Sequence, residues 1–120
     1  GRLTMATGKN NPFRNKRVKK ESNVERYLTQ QVQLAGGEVR KLAFIGRRGA
    51  PDRVVMLPGV LVFVELKSTV GKLHPSQERE HTRLKAMSQQ VVTIREEWEV
   101  DFFLGSWIKM SEQGKKDLAC

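Results

Sequence analysis

The 120-residue sequence predicts an α/β domain: a small mixed central β-sheet flanked by helices, in the order α-β-β-β-α-β-α. Two observations carry that reading. The segments 53–57 and 60–67 are rich in Val, Leu and Phe and meet at Pro58-Gly59, which is turn chemistry between two strands. The second of them is apolar on both faces up to Glu65, as a central strand covered on each side should be.

The elements follow in order. From Ser22 to Ala35 the apolar residues Val24, Tyr27, Leu28 and Val32 form a helical stripe, and Ser22 with Glu25 has capping-box spacing. Gly36-Gly37 ends that helix. "EVRKLAFI", 38–45, reads as a strand, and "GRRGAPD", 46–52, as a loop. After the 53–57 and 60–67 pair, Pro75 opens a helix to about Ser88, since proline is tolerated at a first helical position. "QVVTIRE", 90–96, is a further strand. Glu97 to about Met110 is a last helix with Val100, Phe103, Leu104 and Trp107 inward. Residues 111–120 read as a frayed tail.

The chain length suits one domain, over residues 21–110. Lys and Arg number 22 against 13 Asp and Glu, a net charge of +9. Seven of the basic residues and no acid fall in residues 1–20, a basic arm that suits phosphate backbones or serves as a solubilising tail. Within it Met5 reads as a start residue and Gly1–Thr4 as a remnant of expression. The apolar runs are far too short for a membrane span. The single cysteine, Cys120, allows no internal disulfide, so a cytoplasmic, reducing compartment is expected.

If Pro58 and Gly59 are the centre of a four-residue turn, Leu57 pairs with Val60 and Asp52 falls opposite Glu65. Paired residues share a face about 5 Å apart, and Lys67 shares it too because strand side chains alternate. Pro-Gly is not the favoured two-residue hairpin turn, and a bulge would shift this register by one. Two carboxylates so close repel unless a cation lies between them. Their hard oxygens favour Mg2+ or Mn2+, with the Leu66 carbonyl as a further donor. The Lys67 ammonium can orient an attacking water and offset charge growing on a phosphorus centre. On residues alone, an ordinary salt-bridged strand end fits this pattern as well.

Other residues join as candidates. Glu25 borders the buried stripe and can reach the same site, or act only as the capping acid for Ser22. Gln77, in the first turn of the 75–88 helix, can reach a water or a phosphate oxygen, or be a surface glutamine. Arg47, Arg48 and Arg53 flank Asp52 and can clamp DNA phosphates or merely offset nearby carboxylates. His74 stands in a loop, and His81 has no evident role. Two histidines and one cysteine disfavour zinc, and the glycine spacing matches no nucleotide-binding loop. Trp98 and Trp107 read as core or oligomer contacts.

"GAPDRVVMLPGVLVFVELKS" followed by "GKLHPSQEREH" resembles the VRR-NUC family, a branch of the PD-(D/E)xK nuclease superfamily. The likeness covers most of residues 21–105. It departs at "MSQQ", where a glycine is common before the last strand. The resemblance implies a restriction-endonuclease-like core, with Asp52, Glu65 and the Leu66 carbonyl as metal ligands and Lys67 as the catalytic lysine. It further implies Glu25 as the helical acid, with a metal-binding role, and Gln77 as the glutamine of the following helix. Such enzymes hydrolyse DNA with Mg2+ or Mn2+, and the short stand-alone members, phage ones included, look like homodimers that cut four-way junctions. The same expectation therefore attaches here, because the chain leaves no room for the added domains of larger relatives. Competing readings are a DNA-binding module with weak or partner-dependent nuclease activity, a flap nuclease, a base-reading restriction-like enzyme, and an RNA-binding structural protein.

Overall fold

The computed structural model describes the backbone of residues 21–119, and side chains over 23–109. The basic arm 1–20 and Cys120 lie outside the described residues. The elements are α1 (Glu21–Leu34), β1 (Glu38–Lys41), β2 (Arg53–Leu57), β3 (Val60–Leu66), α2 (Pro75–Ala86), β4 (Gln90–Ile94) and α3 (Glu97–Ala119). Their order is the expected one, and they build a mixed α/β fold.

The sheet order is β1-β2-β3-β4. The first three strands are antiparallel neighbours, and β4 runs parallel to β3 after the α2 crossover. Leu57 pairs with Val60 and Arg53 with Val64, so the expected register holds without a bulge. Gly59 makes it possible: its φ of +80° suits the third position of a type II turn, which a proline can precede.

On one face, α1 and α3 cover the sheet. Val24, Leu28 and Val32 of α1 meet Val55 and Leu57 of β2, Val62, Val64 and Leu66 of β3, Ile94 of β4, and Val100 and Leu104 of α3. Burying a Val or Leu side chain of this kind contributes about 1.5–3 kcal/mol, so this layer holds the domain together. A hydrogen bond of 2.7 Å from the Tyr27 hydroxyl to Asp101 ties α1 to α3 at the surface. Alternation along β3 turns Val62, Val64 and Leu66 to this core and leaves Glu65 on the opposite face, where α2 lies.

Several boundaries differ from the sequence reading. The first strand stops at Lys41 rather than at 45: Leu42 N–H donates to the Asp52 carbonyl, and Ile45 is fully exposed. The last helix continues to Ala119, through the segment read as a frayed tail. Ser22 lies inside α1, so Glu25 is not the acid of a cap there. Both α1 and α2 end in the same way. Gly37 N–H reaches the Val32 carbonyl and Gln89 N–H the Leu84 carbonyl, with Gly36 (φ +88°) and Ser88 (φ +65°) at the left-handed position.

Candidate active site

Glu65 is the centre of the polar face. It is 1% exposed, although it sits one residue from the end of a strand. Gln77 Nε2 donates to its Oε2 at 3.1 Å. His81, one helical turn further along α2, sets its Nε2 3.7 Å from Glu65 Oε1. The i, i+4 spacing of Gln77 and His81 places both on the helix face that looks at the strand. His81 is itself buried; burial first, then the nearby Lys85, holds its pKa below the ordinary histidine value, so the ring is neutral at pH 7.

Gln77 is held by the cap of its own helix. His74 is the N-cap, its Nδ1 accepting from Ser76 N–H at 3.2 Å, while Gln77 Oε1 accepts from His74 N–H at 2.8 Å. With the amide oxygen so occupied, the amide nitrogen faces Glu65. Local helix-start chemistry thereby orients a donor at the buried carboxylate.

Asp52 lies just before β2, and its Oδ2 accepts from Leu66 N–H at 3.0 Å. This bond anchors Asp52 to the end of β3, next to Glu65. Lys67 follows Leu66, half-buried, with its backbone N–H on the Ile94 carbonyl. Both Asp52 and Lys67 act on the charge state of His81, Asp52 favouring the cation and Lys67 opposing it. The loop that follows Lys67 is pinned by Arg95, which donates to the Ser68 carbonyl at 3.0 Å and to the Gly71 carbonyl.

Among the described residues, no three His, Cys, Asp or Glu side chains converge as a metal cluster. The donor set is two carboxylates, Asp52 and Glu65, on one polar face. That set fits a hard divalent cation which takes its other oxygens from backbone, water and substrate, and it does not fit zinc.

No family model matches the sequence. A curated relative, "Putative nuclease p44" of Acyrthosiphon pisum secondary endosymbiont phage 1, is 43% identical over 79 residues, spanning 65% of this chain and 85% of that protein. A solved structure described as "VRR_NUC domain" superposes with a TM-score of 0.67 at 39% identity, over 71% of this chain and 94% of that one.

The chain belongs to the VRR-NUC family. It is thus a member of a nuclease family, with a small restriction-endonuclease-like α/β fold. Within this VRR-NUC fold, Asp52, Glu65, Lys67 and Gln77 come together at the β3 end. Leu66 joins them through its N–H on Asp52, a contact the sequence reading did not foresee when it singled out the carbonyl. Glu25 is engaged elsewhere: its Oε2 accepts from Arg53 Nε at 2.8 Å and also from Nη2. Arg53 is correspondingly turned inward and also donates to the Asp52 carbonyl at 3.0 Å. Glu25 is thereby linked to the site through Arg53 and the Asp52 backbone carbonyl. Arg47 and Arg48 are exposed. His81, against Glu65, escaped the sequence reading, although its i, i+4 spacing from Gln77 was an available signal.

Proposed function

We propose that the protein is a metal-dependent endodeoxyribonuclease that hydrolyses phosphodiester bonds in branched DNA, four-way junctions above all, as a homodimer. The observation that carries this reading is the buried Glu65, oriented by Gln77 beside Asp52 and followed two residues later by Lys67. Membership of a nuclease family supports the same conclusion.

Mg2+ or Mn2+ held by Asp52 and Glu65, with the Leu66 carbonyl as a further donor, would supply Lewis-acid polarisation of the phosphate and a lowered pKa for the attacking water. The chain supplies the rest. Leu66 N–H and Gln77 preset the two carboxylates, so no reorganisation is needed when substrate arrives. The Lys67 ammonium orients the water and offsets charge developing on the non-bridging oxygens. Arg47 and Arg48 attract the backbone phosphates from the exposed loop. The water oxygen bonds to phosphorus as the P–O3′ bond breaks; the water loses a proton to solvent and the departing O3′ takes one up, leaving a 5′-phosphate and a 3′-hydroxyl.

The dimer is supported by an apolar groove of about 490 Å³ between β4 and α3. Trp98 and Phe102 on its rim are 61% and 71% exposed, unusual for such side chains unless another protein surface covers them. Paired cuts across a junction suit a two-fold assembly.

The test is cleavage of a labelled four-way junction, a flap and a plain duplex with Mg2+ or Mn2+, comparing wild type with Lys67→Ala. Cleavage of the junction should fall by on the order of 10²–10³ in the variant, with junction binding retained. Binding without cleavage by either protein would instead establish a DNA-binding module, and preference for the flap would establish a flap nuclease.

A further inference from the structure

Glu80 is 4% exposed and has no part in the reaction described above. Its Oε1 accepts from Arg47 Nε and from Arg83 Nη1, each at 2.9 Å. Arg47 comes from the loop between β1 and β2, and Arg83 from the next turn of α2. Both arginine side chains are half-exposed, at 51% and 52%. Burial by itself would push the Glu80 carboxyl up, but the two guanidiniums outweigh it and hold its pKa below the usual value, so it is ionised.

Two cations on one anion leave a single positive charge in excess. Each guanidinium carries five N–H donors in a planar fork, and Glu80 takes one from each. A buried ion pair is weak as a device for stability, because apolar residues of the same volume commonly do as well. What the arrangement does provide is two half-exposed arginines held side by side on one carboxylate oxygen.

Its position matters as much as its charge. Glu80 adjoins His81, whose ring faces Glu65, and Arg47 stands in the same loop as Asp52. That loop is pressed onto α2 at Gly49: with φ +88°, an added Cβ would lie 2.2 Å from the Ser76 carbonyl oxygen, so only glycine allows the approach. The two arginines therefore belong to the same rim as the proposed reaction centre.

We infer that Arg47 and Arg83, positioned by Glu80, form a cradle for one phosphodiester group of the DNA strand, next to the one that is hydrolysed. The inference rests on the nuclease reading above. The excess charge of the trio equals that of one phosphodiester in magnitude, and paired guanidinium forks match phosphate oxygens in geometry. Glu80 keeps two like charges together that would otherwise separate.

The test is binding of the 120-residue chain to a labelled four-way junction in Ca2+, followed by anisotropy across a salt series. Arg47→Ala, Arg83→Ala and the double variant are compared, each checked for a cooperative melt. Arg→Gln, which keeps a donor for Glu80, replaces any that melts poorly. Each single change should lower the slope of log K against log salt by about 0.9, the value of one phosphate contact. The double variant should lose no more than either single one, because the phosphate is shared. In a Glu80→Ala background that coupling should vanish, an effect that general loosening would not produce. Unchanged slopes, or twice the loss in the double variant, overturn the cradle while leaving Lys67-dependent cleavage intact. Absence of any DNA binding by the wild type overturns the cradle and the nuclease reading together.

Discussion

Gln77 shows how one side chain can serve folding and chemistry at once. Its amide oxygen completes the cap of α2 and its amide nitrogen faces Glu65, so neither end can be changed alone without a distinct signature. Gln77→Glu retains an oxygen for His74 N–H but puts a second carboxylate against Glu65. We expect a melting temperature lowered by the like-charge contact, with DNA cleavage reduced more than about tenfold, equivalent to about 1.4 kcal/mol in the barrier. Gln77→Ala removes both bonds, and should lower stability by about 1 kcal/mol as well as slow cleavage. Thermal melts and single-turnover cleavage of the same samples check both outcomes; a Gln77→Glu variant as active as wild type would remove Gln77 from the site.

At the scale of elements, the two helix ends offer an internal comparison. Gly36 closes α1 with φ +88°, whereas Ser88 closes α2 with φ +65° in the same hydrogen-bonded motif. An L-residue other than glycine pays a steric penalty there, about 1–2 kcal/mol for a typical side chain. Ser88 lies in the segment "MSQQ", where the family resemblance leads one to expect a glycine, and it takes the left-handed conformation that glycine favours. Ser88→Gly should therefore stabilise the fold by about 0.5–1 kcal/mol, read as a raised denaturation midpoint, with DNA cleavage unaltered. The turn at Pro58-Gly59 matters in a different way. By holding Leu57 opposite Val60 it keeps Asp52 level with Glu65; a one-residue slip would send Glu65 into the apolar core.

On the scale of the molecule, the two faces of the sheet are finished differently. The α1–α3 face is closed by apolar packing, and the α2 face holds the buried polar groups. Beyond them, β4 is an edge strand and the groove between it and α3 is lined by Val92, Phe103 and Trp107, with Phe102 on its rim. If this groove is where two copies meet, Phe102→Glu places a charge in the contact and should shift the protein from dimer to monomer in sedimentation equilibrium. Junction cleavage should then lose its paired cuts, while the melt stays cooperative because Phe102 is 71% exposed in the single chain. A wild type that sediments as a monomer at all concentrations would dismiss the dimer. No helix among the described residues is long and apolar enough to cross a membrane.

The sequence by itself determined the element order, the hairpin register and the company of Asp52, Glu65 and Lys67, because each depends on local rules: alternation along a strand, turn chemistry and helical spacing. It also carried the family likeness that the comparisons bear out. Only the tertiary structure decided which charges pair. Arg53 turns inward to Glu25, Arg47 lies on Glu80, and His81 comes against Glu65, across separations that no periodicity encodes. Such pairings depend on how a loop and a helix settle on the sheet, since an ion's partner is set by distance in space and by lost hydration.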